Sequence, residues 1–402
     1  MKGILFTGLI ALSLAAAGQP AKKLHYKAVV IDTHNDILTT AVEDSVKIDG
    51  NLKGKTHSDL TRLKEGGVDV QIFSVWCDGT YGNGKAFAMA NREIDTLYAV
   101  IARNPEKIVL VRSPAELKQA VRKNKIAAMI GVEGGHMIEE RLDYLDSLYN
   151  RGTRYLTLTW NNSTSWATSA MFESAPQPPP PPPPETGAGP RKKGLTDFGK
   201  QVVKRMNELG MIVDVSHVGE QTFWDAINTT TKPVIASHSC AHALCPVFRN
   251  LKDDQIRAIA KNGGVIHLNF FSGFIDSNFF KRNDAFSQKH KAERDSLLKL
   301  NPEPYFADAK LFSKYADEVK DLRPPLSALL DHLDYIVKLA GVDHVGLGSD
   351  FDGVSSTPQQ LDDVTSFPLI TQELLKRGYT KKQVKKILGG NFLRVFEANS
   401  AH

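Results

Sequence analysis

Cysteine is scarce, with three in 402 residues. That excludes a disulfide framework, and the spacing of Cys77, Cys240 and Cys245 fits no zinc-finger pattern, so thiolate ligation of a metal is not expected. Cys240 and Cys245 are near enough to pair if the turn between them allows it, which leaves Cys77 free. Also missing is any long basic run interleaved with aromatics. With a net charge of +5, nothing supports nucleic-acid binding. The apolar stretch from Ile4 to Leu14 falls short of the roughly 20 residues of a membrane span. Lys2 precedes it and the small residues Ala15 to Gly18 follow, the order of a secretory signal peptide over residues 1–18. No cysteine stands behind it to carry a lipid, and the terminal "FEANSAH" has no hydrophobic tail. The expected mature chain, 19–402, is soluble, without a membrane span, and exported to the periplasm or beyond. No GxGxxG follows the first strand-like run, which counts against a doubly wound sheet.

What is present is the composition of a globular protein, 42% hydrophobic and 24% charged. Eight strand-like runs recur along it: "KAVVID", "VDVQIFSVW", "IAAMIGVE", "RYLTLTW", "MIVDVSH", "KPVIASH", "GGVIHLNFF" and "HVGLGSD". Stretches with helical apolar spacing separate most of them, at Ala86–Arg103, Arg141–Asn150, Asp197–Leu209 and Leu326–Leu339. Eight alternating units predict an α/β chain, a (β/α)8 TIM barrel in a single domain. Two insertions interrupt it. The proline-rich "PQPPPPPPPETGAGPRKK", in an insertion at about 173–193, can form neither helix nor ladder and is expected as an extended spur. A charged segment at about 277–321 with helical fragments is expected to decorate the barrel between its seventh strand and the following helix.

The strand ends carry the chemistry. In "VVIDTHNDIL", His34 and Asp36 stand two positions apart and so share one face. Other strands end at Glu133, His217, His238 and Asp350. All C-terminal strand ends of a parallel barrel open onto one face, so these six residues should converge. Imidazole and carboxylate without thiolate suit zinc and its first-row neighbours. With this many ligands two ions are expected: His34 and Asp36 on one, His217 and His238 on the other, Glu133 bridging. Water between two such cations is acidified to a hydroxide nucleophile. Asp350, left over from the ligand set and preferred to Asp352, is expected to take the water's proton and pass it to the leaving nitrogen. Hydrolysis of an amide or ester is the reaction this predicts. Asp32, sharing strand parity with His34, is expected to orient that histidine, and His136, beyond two glycines, to be structural.

The motifs "DTHND", "GVEGGH", "YLTLTW", "VDVSH", "ASHS", "GLGSDFDG" and "GNFLRVF" resemble the membrane (renal) dipeptidase family, zinc enzymes of the amidohydrolase-like barrel superfamily. The likeness runs from about Val30 to Phe396. It implies cleavage of dipeptides, including those with a C-terminal D-residue, at two zinc ions per chain, and some members open β-lactam rings. The family's ligands fall on His34, Asp36, Glu133, His217 and His238, and its acid/base aspartate on Asp350. Its arginine for the substrate's C-terminal carboxylate falls on Arg249 in "CPVFRN", where guanidinium offers a matching fork. One position departs. Where relatives carry a histidine after "YLTLT" that helps bind the scissile carbonyl region, this chain has Trp160, whose indole cannot shuttle a proton. Asn161 or Asn162 is left to supply a polar contact. Trp160 keeps an alternative open, a related binuclear amidohydrolase acting on another amide, lactam or ester. Family members often form homodimers, though no interface is legible in the sequence.

Overall fold

Runs rich in β-branched and aliphatic residues form strands buried on both faces. "IAAMIGVE" is buried along its whole length. A computed structural model describes residues 20–82, 84–175, 193–300 and 304–400. The expected signal peptide and nearly all of the proline-rich insertion lie outside the described residues. The strands are β1 (Ile31–Asn35), β2 (Val70–Trp76), β3 (Ile108–Leu110), β4 (Ile126–Glu133), β5 (Thr153–Thr157), β6 (Ile212–Asp214), β7 (Ile235–Ala236), β8 (Val265–Leu268) and β9 (Val345–Leu347). Every pairing is parallel, in the order β1-β2-β4-β5-β6-β7-β8-β9. Asn35 bridges Phe351 in parallel, and the Asp350 N–H donates to the His34 carbonyl at 3.1 Å. Those contacts close the eight strands into the expected barrel.

All eight predicted strands are present, and β3 is a ninth. It pairs with Ile126–Ala128 at the start of β4, below the stretch from Ile130 onward that pairs with β5. The sequence pattern passes over it. The helix Asp197–Leu209 begins where the Thr196 side chain accepts the Gly199 N–H and ends at Gly210 with φ 78°. Both boundaries follow from the residue types, a hydroxyl cap and a residue free to turn left-handed. Helices Ala86–Arg103, Leu142–Asn150 and Leu326–Ala340 also fall within a residue of their predicted spans. Among the described residues no helix is long and apolar enough to cross a membrane.

Between β8 and the helix Leu326–Ala340, four helices (Phe279–Lys289, Lys291–Leu300, Pro304–Lys314 and Ala316–Lys320) gather around Phe279, Phe286, Leu311, Phe312 and Val319. This small core is separate from that of the barrel. The three cysteines are buried and free. Cys240 and Cys245 do not pair, because the turn between them sends one thiol to the Asn269 carbonyl at 3.3 Å and the other to that of Gly273 at 3.6 Å.

A second core fills the lower barrel. It takes Ile31, Val70, Ile72, Met129, Tyr155, Ile212, Ile235 and Val265 from the strands and Phe392, Val395 and Phe396 from the C-terminal helix Asn391–Asn399. Tyr155 reaches across this layer only because residue 131 lacks a side chain: a Cβ there would lie 2.0 Å from the Tyr155 Cζ. Gly131→Ala is therefore expected to cost about 1–3 kcal/mol through overpacking, measured by denaturant unfolding, and to displace the Tyr155 hydroxyl from the site above it.

Candidate metal centre

Each predicted ligand stands at or just beyond the C-terminal end of a barrel strand, and the six side chains come together there. Glu133 is the central one. Its Oε2 lies 3.4 Å from His34 Nε2, while its Oε1 lies 2.8 Å from His217 Nε2 and 3.3 Å from His238 Nε2. His34 Nε2 is 3.5 Å from Asp36 Oδ2, and the Nε2 atoms of His217 and His238 are 3.0 Å apart. Three triplets bring their ligand atoms within 4.8 Å of one another: His34 with Asp36 and Glu133, Glu133 with His217 and His238, and His34 with His238 and Asp350. The first two share Glu133, as a bridging carboxylate requires. All six side chains are at most 9% exposed. His217 and Asp350 hold left-handed backbone, φ 62° and 60°, a conformation non-glycine residues avoid unless their surroundings impose it.

The protons show what the cluster is built to hold. Tyr155 donates its hydroxyl to the Thr33 carbonyl at 3.1 Å, so at 2.8 Å it accepts from His34 Nδ1. Ser237 donates to Asp214 at 2.6 Å and so accepts from His238 Nδ1 at 2.8 Å. The Asn161 Oδ1 accepts from His217 Nδ1 at 3.0 Å. Each imidazole therefore carries its proton on Nδ1 and turns a lone pair on Nε2 inward, the arrangement found behind metal-bound histidines. His34 Nε2 and Asp36 Oδ1 are buried with no hydrogen-bond partner. Two imidazole lone pairs facing each other at 3.0 Å, amid three carboxyl groups, repel unless a cation lies among them. The residues present fit a pair of divalent cations.

Charge perturbations point the same way. Burial lowers the His217 pKa to about 4, with Arg249 adding to the effect, and pushes His238 well below its usual value. Burial also opposes protonation of His34, but Tyr155, Asp36 and Glu133 outweigh it and hold that imidazole well above its ordinary range. Where only protons are available, the carboxylates draw positive charge to this spot. Burial pushes the Asp350 carboxyl well above its usual range, opposed by His34 and reinforced by Asp36 and Glu133.

Asp350 and Asp352 part company in the structure. Asp350 faces the cluster, its Oδ2 accepting from Asn269 Nδ2 at 2.7 Å. Asp352 turns away, one oxygen accepting the His57 N–H at 2.6 Å and the other the Ser58 hydroxyl at 2.5 Å. Arg249 is buried beside the site, donating to Ser239 Oγ at 3.2 Å and to the His238 carbonyl at 3.0 Å, with its Nε unpartnered. A cleft of about 380 Å³ adjoins it, lined by His217, Arg249, Phe223, Val218, Leu251 and Phe248 among others. Trp160 packs edge-on against Trp76 at 5.0 Å and lies 6.4 Å from the His217 ring.

Asp32 reaches His34 through the backbone rather than the ring, its Oδ1 accepting the His34 N–H at 3.4 Å. The same carboxylate accepts the N–H and hydroxyl of Ser349, at 2.8 and 2.7 Å, tying β1 to the segment that carries Asp350. His136 is structural, as expected: its Nε2 bonds the Cys77 carbonyl at 2.9 Å. The positioning groups Tyr155, Asp214, Ser237 and Asn269 are not picked out by the strand-end pattern. Tyr155, Asp214 and Ser237 do lie inside "YLTLTW", "VDVSH" and "ASHS", and that is the signal available for them. Asn161, one of the two asparagines left to supply a polar contact, holds His217 Nδ1. Asn161→Ala is expected to weaken metal retention about 10–100-fold, measured by chelator competition.

The model of Peptidase family M19, described as membrane dipeptidase, matches residues 19–402. Among solved structures, the probable dipeptidase PvdM from Pseudomonas aeruginosa is 24% identical, the match covering 96% of this chain and 98% of that one, with a TM-score of 0.74. A metallopeptidase from Rhodobacter sphaeroides, liganded with a phosphinate mimic of the dipeptide L-Ala-D-Ala, is 24% identical over 92% and 99%, with a TM-score of 0.72. The dipeptidase AC, of the same peptidase family, is 24% identical over 92% and 98%, with a TM-score of 0.73. At these identities the structural likeness is one of fold.

Proposed function

The chain belongs to the membrane dipeptidase family, and from that premise we propose that its strand-end cluster is a two-zinc centre that hydrolyses dipeptides. The family makes it a metallopeptidase, a hydrolase of peptide bonds. The observation that carries the zinc reading is the set of three Nε2 lone pairs, fixed from behind and gathered on the two oxygens of Glu133. His34 and Asp36 would hold one ion, His217 and His238 the other, and Glu133 both. Bound there, the ions supply an acidified water and polarise the carbonyl under attack. The remaining work falls to the chain's own side chains. Asp350 Oδ2 is held by Asn269, which leaves Oδ1 to receive a proton and return it to the leaving amine. Arg249, buried beside His238 with an unpartnered Nε, presents a fork to the substrate's terminal carboxylate. The Rhodobacter relative's L-Ala-D-Ala mimic supports a substrate with a C-terminal D-residue. Residues 1–18 we read as an export signal, which N-terminal sequencing of the secreted protein tests.

L-Ala-D-Ala and L-Ala-L-Ala with zinc are the substrates to try first. Turnover should vanish with a chelator and return with zinc, and metal analysis should find about two ions per chain. Full activity after complete removal of metal would sink the reading. Trp160 favours one second reading, hydrolysis of another amide or a lactam. N-acyl amino acids and lactams cleaved in preference to dipeptides would establish it.

A further inference from the structure

We propose that Trp76 and Trp160 are specificity-determining residues, forming an aromatic wall that receives the side chain of the substrate's N-terminal residue and favours large apolar groups there. The inference rests on the dipeptidase reading, with Arg249 at the C-terminal carboxylate. Trp76 ends β2 in register with Glu133 on β4, and Trp160 follows β5. The two indoles meet edge-to-face at 5.0 Å and 68°, both only half-buried. A Cβ added to Gly134, the residue after Glu133, would stand 3.4 Å from the Trp160 Cβ. The pair therefore sits on the rim directly beside the bridging carboxylate.

Its position around the barrel assigns the end of the substrate. The strand order places β6, with His217, between the Trp160 loop and the β7 side, where Arg249 is anchored on His238 and Ser239. The cleft that adjoins Arg249 is lined mainly by residues following β6 and β7, with Ala170, Glu173 and Ser174 from the far part of the β5–β6 connection, and includes neither tryptophan. A dipeptide with its carboxylate on Arg249 and its peptide bond over the cluster thus directs its N-terminal residue toward the indoles. Aromatic faces reward large apolar groups both by area and by edge-to-face contact.

A buried group holds this wall in place. The helix Ala86–Arg103 turns Ala86, Met89, Ala90, Glu93, Ile94, Leu97 and Val100 inward, and Glu93 is the one carboxyl among them. Its Oε2 accepts the Trp76 backbone N–H at 2.7 Å. A carboxyl is costly to bury, and the backbone it holds is that of a wall residue. Glu93 is accordingly a positioning residue for Trp76. Glutamine keeps the accepting oxygen, whereas leucine does not.

The test compares kcat/KM for L-Phe-L-Ala, L-Ala-L-Phe and L-Ala-L-Ala with the zinc-loaded protein. The wild type should prefer Phe-Ala to Ala-Ala by about 10-fold or more, and Trp160→Ala or Trp76→Ala should cut that ratio to about 3-fold or less. The Ala-Phe to Ala-Ala ratio should stay as it was. Glu93→Leu should lower the Phe-Ala ratio likewise and Glu93→Gln should restore it. A Phe-Ala ratio untouched by both tryptophan substitutions, or a loss confined to Ala-Phe, overturns the proposal. Trp76→Leu, which fills more of the space but presents no aromatic face, gives the same reading if the alanine variant does not fold. A wild type that cleaves none of the three dipeptides defeats the dipeptidase reading instead. Binding of L-phenylalanine amide then judges the wall by itself: a change in indole fluorescence that Trp160→Ala abolishes supports it, and no binding overturns it.

Discussion

Replacing Glu133 by glutamine is expected to lower kcat/KM by about 10³-fold or more, the several kcal/mol of charge stabilisation a metal site supplies converted at 1.36 kcal/mol per tenfold. Glu133 is the only side chain common to the two triplets that include Asp36 or His217. Its two oxygens face opposite ways, one to His34 and one to His217 and His238. An amide offers one oxygen and no charge, so it cannot serve both sides. Metal analysis should find fewer than two ions per chain, and excess zinc should not restore the rate. The fold should survive, because the substitution removes one of several acidic groups crowded into a buried space and leaves the strand pairing of β4 intact. A near-unchanged melting temperature of the metal-free variant alongside the lost activity separates a centre destroyed from a protein unfolded. Glu133→Gln with full zinc content and undiminished turnover would refute the bridge.

Asp350→Asn is expected to act on the rate alone, lowering kcat about 10²–10⁴-fold, the usual contribution of a positioned acid or base. Asparagine suits the position, since it tolerates the left-handed backbone at φ 60° as aspartate does. It keeps the size of the side chain but cannot take up and return a proton. Zinc content should remain at the wild-type level, and the limb of the pH–rate profile governed by this carboxyl should disappear. Loss of one ion in the variant would instead make Asp350 a ligand, the role its triplet with His34 and His238 also permits. Undiminished turnover would free it of both roles. Asp352 could not take over, because its oxygens are committed to His57 and Ser58.

Acid should switch the centre off through its ligands. Metal binding requires neutral imidazoles and ionised carboxylates, so protons compete with the ions as pH falls. Zinc retained at pH 7.5 is expected to be released on acidification, with release and loss of turnover superimposing when both are titrated on one sample. Activity lost at a pH where both ions remain bound would place the decisive titration elsewhere.

The six strand-end residues were legible because each ends an apolar run, and a parallel barrel brings all such ends to one face whatever their separation along the chain. Legibility failed where a contact depends on local irregularity. Strand parity set Asp32 beside His34 but could not show that it holds the backbone N–H and not the ring. Proximity in sequence suggested a Cys240–Cys245 pair, yet the turn between them aims the thiols at different carbonyls.

The sequence by itself determined the architecture, the chemical types gathered at the strand ends and the family, because these depend on alternation of apolar runs and on which residues stand at their ends. Only the tertiary structure decided which nitrogen of each histidine faces the centre. The groups that settle it, the Tyr155 hydroxyl, the Asn161 amide and the Ser237–Asp214 pair, come from other strands and loops in all but one case. A proton's place on imidazole is fixed by the partner it meets across space, and that partner is unknown until the barrel closes.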